Sequence, residues 1–321
     1  MGDAGLLLPS IAESDLVRSS SVGHETTPPR EVTVLVTGFG PFKSFTTNPS
    51  WLIASSLPAI LQPQALSPKA ASNSQTPIPN YVIRLIVHPS PVRVAYATAS
   101  TLIPNLIQSH DPDYVVHIGM AGGRDHYTLE TIAHRDNYKM KDVDDRDGWR
   151  EGEHLWKKEE IPDYLRIGWE ESDVLSRWER ELDAVEDALG LIDDTPPGTP
   201  NILSALNARR KKSVVRLSRD AGRYLCEFVF MQSLSKKYLE ARRHEQDGKP
   251  YDVTDTREGK VAFLHVPGGY ATDDIARGMR VAEAAIRSLV ASWEEGFRRK
   301  EGQQATTGVV GGRWEGVIWR A

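Results

Sequence analysis

Short apolar runs alternate with amphipathic stretches along this chain, a pattern typical of strands that alternate with helices. Apolar segments predict buried strands, and apolar positions recurring every three to four residues predict helices. The predicted strands cover 31–36, 81–87, 114–119 and 261–266, with another apolar run at 213–217. We therefore predict an α/β fold with helices on both faces of one sheet.

Two helix starts carry recognisable capping residues. Asn48 precedes Pro49, which is the order expected of an N-cap followed by the first helical residue. Thr272 is the predicted cap of the last helix. Apolar positions of that last helix repeat from Ile275 to Trp293 and predict its buried face.

The chain divides into four segments by composition. Residues 1–30 are rich in Ser, Pro and acidic residues and predict a disordered leader. Residues 31–300 predict a single α/β domain, in which the charged stretch 139–212 is an insertion. Residues 301–321 form a C-terminal tail to which no role is assigned.

Composition excludes several classes of function. The net charge of −5 and the pI near 6.0 give no electrostatic reason to expect a nucleic-acid partner. No stretch approaches the roughly 20 apolar residues of a membrane span, and the N-terminus lacks the pattern of a signal peptide. A single cysteine suits a reducing compartment. We therefore expect a cytoplasmic protein without a membrane partner, and the sequence leaves its oligomeric state open.

The single cysteine, Cys226, lies in the first turn of a predicted helix. The positive end of the helix dipole favours a thiolate, so we expect a lowered thiol pKa and a nucleophile. The alternative is a buried structural cysteine, because free cysteines are among the most buried residues. A single cysteine also needs a histidine partner elsewhere in the chain.

Two further residues at predicted strand ends complete a possible catalytic set. His265 lies inside an apolar strand, and Glu130 lies among small and apolar residues. Taken singly, each has an ordinary interpretation, a core histidine and a surface carboxylate. Together with Cys226 they supply the thiol, the proton acceptor and the orienting acid of thiol-dependent acyl transfer. Arg124 and Asp220 are weaker candidates for the site.

Metal and cofactor chemistry find little support in the sequence. The histidines at 117, 126 and 134 lack the spacing and the cysteine neighbours of a zinc site. The Gly-x-Gly at 38–40 lacks a third glycine, and Pro41 removes a donor, so a dinucleotide loop is disfavoured. We expect no metal and no cofactor.

Four ordered blocks of the sequence resemble the pyroglutamyl peptidase I (pyrrolidone carboxyl peptidase) family. They cover about two-thirds of the chain and are VLVTGFGPF with NPSW, HIGMAGGR through Glu130, DAGRYLCEF and FLHVP. The resemblance implies a three-layer α/β/α sandwich of the phosphorylase/hydrolase-like kind. It also implies a thiol peptidase that removes N-terminal pyroglutamate (5-oxoproline) from peptides.

The resemblance further assigns roles to individual residues. It implies Cys226 as nucleophile, His265 as general base and acid, and Glu130 as the residue that orients His265. It implies that Phe39 and Phe42 wall the pocket for the lactam ring. Met120 is a further substrate-contact position, because it stands where bacterial members tend to carry glutamine.

Two other functions remain open at this stage. One keeps the Cys226 machinery but acts on another amide or ester, given Met120 and the insertion 139–212. The other is a non-catalytic binding protein on the same fold. Activity on N-blocked substrates other than pyroglutamyl ones would indicate the first, and an unreactive Cys226 would indicate the second.

Overall fold

A mixed seven-stranded sheet forms the centre of the molecule. The computed structural model describes residues 28–63, 80–188, 214–246 and 258–299. The strands are β1 (Arg30–Gly38), β2 (Ile60–Leu61), β3 (Tyr81–Val87), β4 (Tyr114–Met120), β5 (Tyr127–Glu130), β6 (Ile132–His134), β7 (Tyr164–Arg166), β8 (Val215–Ser218) and β9 (Val261–Val266). The large sheet has the order β2-β3-β1-β4-β9-β5-β8, and β6 and β7 form a separate antiparallel pair.

Helices cover both faces of the large sheet. They are α1 (Pro49–Ser56), α2 (Tyr96–His110), α3 (His154–Lys158), α4 (Glu171–Ala188), α5 (Leu225–Gln246) and α6 (Thr272–Glu294), and a π-helical turn at Trp149–Glu153 leads into α3. Helices α1, α4 and α6 pack together on one face, and α2 packs with α5 on the other. The predicted α/β architecture with helices on both faces is therefore confirmed.

Strand direction changes within the sheet at β5. Strands β1, β3, β4 and β9 run parallel, whereas β5 pairs antiparallel with β9 and parallel with β8. β5, which ends at Glu130, therefore approaches β9 from the opposite direction to the parallel strands. The apolar pattern of the sequence did not predict this strand.

The two predicted helix caps have different outcomes. Asn48 is the N-cap of α1, where its Oδ1 accepts a hydrogen bond from the Ser50 N–H at 3.1 Å, as predicted. Thr272 does not cap α6, because the N-cap is Ala271 and Thr272 is already helical. The Asp274 carboxylate in the first turn accepts from the Ala271 N–H at 3.1 Å, which is the reciprocal bond of a capping box.

A buried polar chain ties helix α5 to the sheet. His117 on β4 is bonded through Nδ1 to Thr37 Oγ1 and through Nε2 to Ser233 Oγ, both at 2.7 Å. Burial lowers the pKa of His117 to about 3, so its imidazole is neutral over the ordinary pH range. Because both ring nitrogens have hydrogen-bond partners, burying this imidazole costs little folding free energy. Its two bonds fix α5 relative to β1 and β4.

The described part of the segment 139–212 packs onto the main body. Trp169 Nε1 donates to the Leu289 carbonyl at 2.8 Å, and Trp178 Nε1 donates to the Val281 carbonyl at 3.0 Å, so both indoles are bonded to α6. The rest of that segment, most of the predicted leader and all of the predicted tail lie outside the described residues. Among the helices that the structure describes, none is both long and apolar enough to cross a bilayer.

Candidate active site

Strand register brings the predicted site residues to one face of the sheet. His265 of β9 lies opposite Gly119 of β4 on one side and opposite Thr128 of β5 on the other. Glu130 pairs with Phe263, two positions from His265. Because side chains alternate between faces along a strand, all five residues present the same face, which is the face covered by α5.

Glu130 and His265 form a buried hydrogen-bonded pair. His265 Nδ1 lies 2.8 Å from Glu130 Oε1, and the carboxylate, which can only accept, assigns the proton to Nδ1. The Glu130 side chain is 0% exposed and that of His265 is 5% exposed. This bond fixes the tautomer and the plane of the imidazole, so Nε2 is the nitrogen that can accept a proton.

Arg124 bonds to the same oxygen of Glu130 that His265 contacts. Its Nη1 donates to Glu130 Oε1 at 2.6 Å, and the Arg124 side chain is only 11% exposed. The ion pair compensates the charge of a carboxylate that burial would otherwise penalise. Arg124 Nη2 also donates to the Asp220 carbonyl at 3.2 Å, which connects Glu130 to the turn before Cys226.

The sequence therefore underrated Arg124 and misjudged how Asp220 takes part. Sequence position alone makes Arg124 only a weak candidate, although it precedes Glu130 by six residues in a Gly-rich loop. Asp220 contributes its backbone carbonyl to Arg124, whereas its carboxylate Oδ1 accepts from the Gly222 N–H at 3.1 Å. Its carboxylate is thus a turn-forming group.

Cys226 is the second residue of α5, and its sulfur lies over Gly119. A Cβ on Gly119 would come within 2.9 Å of Cys226 Sγ and within 2.6 Å of the Phe263 ring. The Phe263 ring in turn lies 4.8 Å from the His265 ring, centroid to centroid. Cys226 and Phe263 thus both pack over Gly119, and the Phe263 ring lies beside that of His265.

The predicted lowering of the thiol pKa is wrong. Burial, together with the negative charge of Glu130, raises the pKa of Cys226 to about 12, although Arg124 acts in the opposite direction. The helix dipole does not overcome these effects. Cys226 is therefore a thiol at neutral pH, and its nucleophilic use requires a base that removes its proton.

The three residues expected to contact a ligand differ in their burial and in their neighbours. Phe39 is almost fully buried, and its ring centroid lies 6.3 Å from that of Phe263. Phe42 is partly buried, and its ring lies 5.1 Å from the ring of Tyr224. Met120 ends β4, where its Sδ would lie 3.9 Å from a Cβ on Gly268.

Metal coordination finds no basis in this part of the chain. Within residues 28–63, 80–188, 214–246 and 258–299, no three His, Cys, Asp or Glu side chains group as a metal ion requires. His117, His126 and His134 lie in separate hydrogen-bonded pairings, with Thr37, Asp125 and Glu227 respectively.

Comparisons with known proteins find relatives that carry similar names. The sequence model of the family described as pyroglutamyl peptidase matches residues 32–155, which include Glu130. The human protein named pyroglutamyl-peptidase 1 is 27% identical over 256 residues, covering 77% of this chain and 86% of its own length. The Bacillus subtilis pyrrolidone-carboxylate peptidase is 31% identical over 100 residues, covering 31% of this chain and 37% of its own.

Solved structures bearing the same names also align with the chain. Pyrrolidone carboxyl peptidase from Thermococcus litoralis has a TM-score of 0.47 and 17% identity, covering 82% of this chain and 96% of its own. Pyroglutamyl peptidase I from Bacillus amyloliquefaciens has a TM-score of 0.48 and 20% identity, covering 81% and 96%. The human match extends the family's likeness over most of both sequences, well beyond residues 32–155. The chain is thus similar to proteins named pyroglutamyl peptidase, by a family model over residues 32–155 and by a relative that covers 77% of it.

Proposed function

We propose that this protein is a cysteine peptidase that hydrolyses the amide bond after an N-terminal pyroglutamyl residue of peptides. The observation that carries the proposal is the buried Glu130–His265 pair, on the sheet face over which the Cys226 thiol lies. A thiol, an oriented imidazole and an acid are the groups that amide hydrolysis through a thioester requires. The names of the relatives supply the substrate class.

Acylation begins with proton transfer from the thiol. His265 Nε2 takes the proton of Cys226 Sγ as the sulfur attacks the carbonyl carbon of the pyroglutamyl residue, forming a tetrahedral oxyanion. The C–N bond then breaks, and His265 returns the proton to the leaving amine of the peptide. The pyroglutamyl group remains on Cys226 as a thioester. Because the thiol pKa is raised, this transfer is essential to the step.

Deacylation uses the same imidazole in reverse. His265 Nε2 takes a proton from water, the hydroxide attacks the thioester carbonyl, and the proton passes to the departing sulfur. Free pyroglutamic acid and the Cys226 thiol are the products. Throughout, Glu130 stabilises the imidazolium through Nδ1, and Arg124 keeps Glu130 paired.

The start of α5 supplies donors for the oxyanion. The N–H of Phe228 bonds to the Tyr224 carbonyl at 2.8 Å, which is the first bond of the helix. The amides of Leu225 and Cys226 precede that bond and are the groups available to a developing negative charge. A single such donor contributes roughly 2.7–4 kcal/mol in comparable sites.

The chemistry of the pyroglutamyl ring fits an aromatic setting. The ring is small, uncharged and has no α-amine, so its pocket needs apolar walls and a few polar contacts instead of an acidic residue. We assign the walls to Phe39 and Phe42, with Met120 at the end of β4 as a further contact. Their closeness to Phe263 and Tyr224 supports this assignment.

A panel of fluorogenic amides tests the substrate class. The wild-type protein is expected to release the amine from a pyroglutamyl amide and to leave the prolyl and acetyl-alanyl amides intact, since neither offers a lactam. Preferential turnover of prolyl or acetylated amides would instead indicate an altered specificity. No turnover of any amide by folded, reduced protein would indicate a binding role. Slow alkylation of Cys226 would not decide this, because the raised thiol pKa makes alkylation slow in any case.

A methyl group at position 119 is expected to disable the site. In Gly119→Ala the new Cβ would meet Cys226 Sγ at 2.9 Å and the Phe263 ring at 2.6 Å, so the sulfur must move. A displacement of about 1 Å at a reacting group costs on the order of 100-fold in rate. We expect kcat/KM on the pyroglutamyl amide to fall by about that factor.

The matched control for that variant is Gly123→Ala. A Cβ on Gly123 would have no atom within 4 Å, so turnover and Tm are expected to stay at wild-type values. Equal losses of kcat/KM in the two variants would show that residues 119–123 are sensitive to any substitution and would contradict the steric argument.

We also infer that residues 31–300 form one domain and that the protein works in the cytoplasm. The bonds from Trp169 and Trp178 to α6 support the first inference, since they fasten the described part of the segment 139–212 to the main body. The single cysteine supports the second, because one thiol cannot form an internal disulfide.

A further inference from the structure

A second buried carboxylate lies directly beside Cys226 and takes no part in the mechanism above. Glu227 is 0% exposed. Its Oε2 accepts from the backbone N–H of Arg223 at 2.6 Å, and its Oε1 accepts from the backbone N–H of His134 at 2.9 Å. Both contacts are to backbone, so this side chain holds chain segments in place.

The side chains of Arg223 and His134 also contact that carboxylate. Arg223 Nη1 donates to Glu227 Oε1 at 2.8 Å, and His134 Nδ1 lies 2.7 Å from the same oxygen. Although burial acts to raise the pKa of Glu227, the His134 bond and the Arg223 charge hold it below the ordinary value. Glu227 is therefore ionised at neutral pH and accepts strong, charge-assisted bonds.

The backbone held by Glu227 is strained. Arg223 has φ 50°, in the left-handed region that a residue with a Cβ adopts only at a cost. Such a conformation persists where the surroundings enforce it, and the bond from the Arg223 N–H to Glu227 is an evident restraint. Only Tyr224 and Leu225 separate this residue from Cys226.

We propose that Glu227 is a positioning residue for Cys226, whose carboxylate fixes the left-handed turn at Arg223 and so sets the position of the sulfur and of the amides at the start of α5. This inference rests on the proposed function. Glu227 acts on one side of the turn, while Arg124 grips the Asp220 carbonyl on the other. Two ion pairs, Arg223–Glu227 and Arg124–Glu130, thus hold the turn that precedes the attacking thiol.

The decisive variant is Glu227→Gln, with Glu153→Gln as its matched control. Glutamine keeps the shape of Glu227 but has one acceptor oxygen for two backbone N–H groups, so its NH₂ group must face either the Arg223 or the His134 N–H. Glu153 is also buried and accepts from a backbone N–H, that of Tyr138 at 2.7 Å, but it does not contact the Arg223–Cys226 turn. Both variants are expected to lower Tm, so Tm alone does not separate them.

The kcat and the pH midpoint of Cys226 alkylation distinguish Glu227→Gln from Glu153→Gln. In Glu227→Gln we expect kcat on a pyroglutamyl amide to fall about 100-fold with little change in KM, as for a misplaced reacting group. The pH midpoint of Cys226 alkylation by iodoacetamide should move down, because the Glu227 charge adds to burial and Glu130 in raising the thiol pKa. Glu153→Gln should leave kcat and the midpoint unchanged.

A double variant provides the rescue. Glycine adopts positive φ readily, and Arg223→Gly combined with Glu227→Gln removes both charges of the pair together. If Glu227 acts through the turn, the double variant should recover a large part of the lost kcat. A double variant no better than Glu227→Gln alone, or a Glu227→Gln protein with wild-type kcat, would overturn the proposal.

The two proposals fail in distinguishable ways. A wild type that turns over no pyroglutamyl amide rejects the proposed function, and hydrogen exchange of the Arg223 amide, which needs no substrate, then tests Glu227 by itself. Equal exchange rates in wild type and Glu227→Gln would in that case reject the positioning role. Should Glu227→Gln not fold, Glu227→Asp replaces it for the kcat and amide-exchange measurements, since it keeps the charge but shortens the reach to the Arg223 N–H.

Discussion

Cys226→Ala is expected to lose turnover of pyroglutamyl amides altogether while keeping its fold. No other thiol exists in the chain to replace the nucleophile. Removal of a catalytic nucleophile typically costs on the order of 10⁶ in kcat. Release of a fluorogenic amine by wild type and variant in parallel measures the loss. The variant should still bind a pyroglutamyl peptide in calorimetry, because the aromatic walls are untouched.

Cys226→Ser is the closest control for this result. Its hydroxyl is smaller and less acidic than the thiol, so a serine should leave only a trace of activity. Residual turnover in Cys226→Ala within about tenfold of wild type would contradict the nucleophile assignment, since such a loss is far too small for a covalent mechanism.

His265→Asn is expected to lose activity in a pH-dependent manner. General acid–base catalysis contributes about 10²–10⁴-fold, and the requirement for a base is severe here because the thiol pKa is about 12. Without the imidazole only spontaneous thiolate can attack. Its fraction is about 10⁻⁵ at pH 7 and rises tenfold per pH unit. The variant's kcat/KM should therefore climb steadily between pH 7 and 10, whereas the wild-type profile has its own base and should not.

Glu130→Gln tests the residue that orients His265. The amide cannot balance the charge of an imidazolium, and its NH₂ group can face His265 in the wrong sense, so a smaller but clear loss in kcat is expected. Wild-type rates in Glu130→Gln would contradict the orienting role. A flat pH profile for His265→Asn would contradict the role of His265 as base.

Local patterns predicted most of the secondary structure. The apolar runs at 81–87 and 261–266 coincide with β3 and β9, because buried strands need continuous apolar residues. The cap at Asn48 was also readable, since the Asn-Pro order has a direct physical reason. At α6 the same logic chose Thr272, although Asp274 satisfies the helix start from inside its first turn.

The sequence could not give what depends on neighbours distant along the chain. The direction of β5 follows from its pairing with β9, which no local pattern encodes. The raised pKa of Cys226 follows from burial and from Glu130, 96 residues earlier in the chain, whereas the helix-dipole argument used only its own segment. Glu227 looks like an ordinary surface charge in the sequence, although folding buries it completely.

The antiparallel pairing of β5 with β9 restricts insertions and deletions in this part of the chain. Glu130 and His265 meet because two strands are in one register, and shifting β5 by one residue would turn the carboxylate to the opposite face. A codon gained or lost within 127–130 should thus be far more damaging than a typical substitution there. Beyond His134 the chain leaves the large sheet, and added residues there do not disturb the register of β5 against β9. The pairing of β5 with β9 therefore fixes the length of this strand.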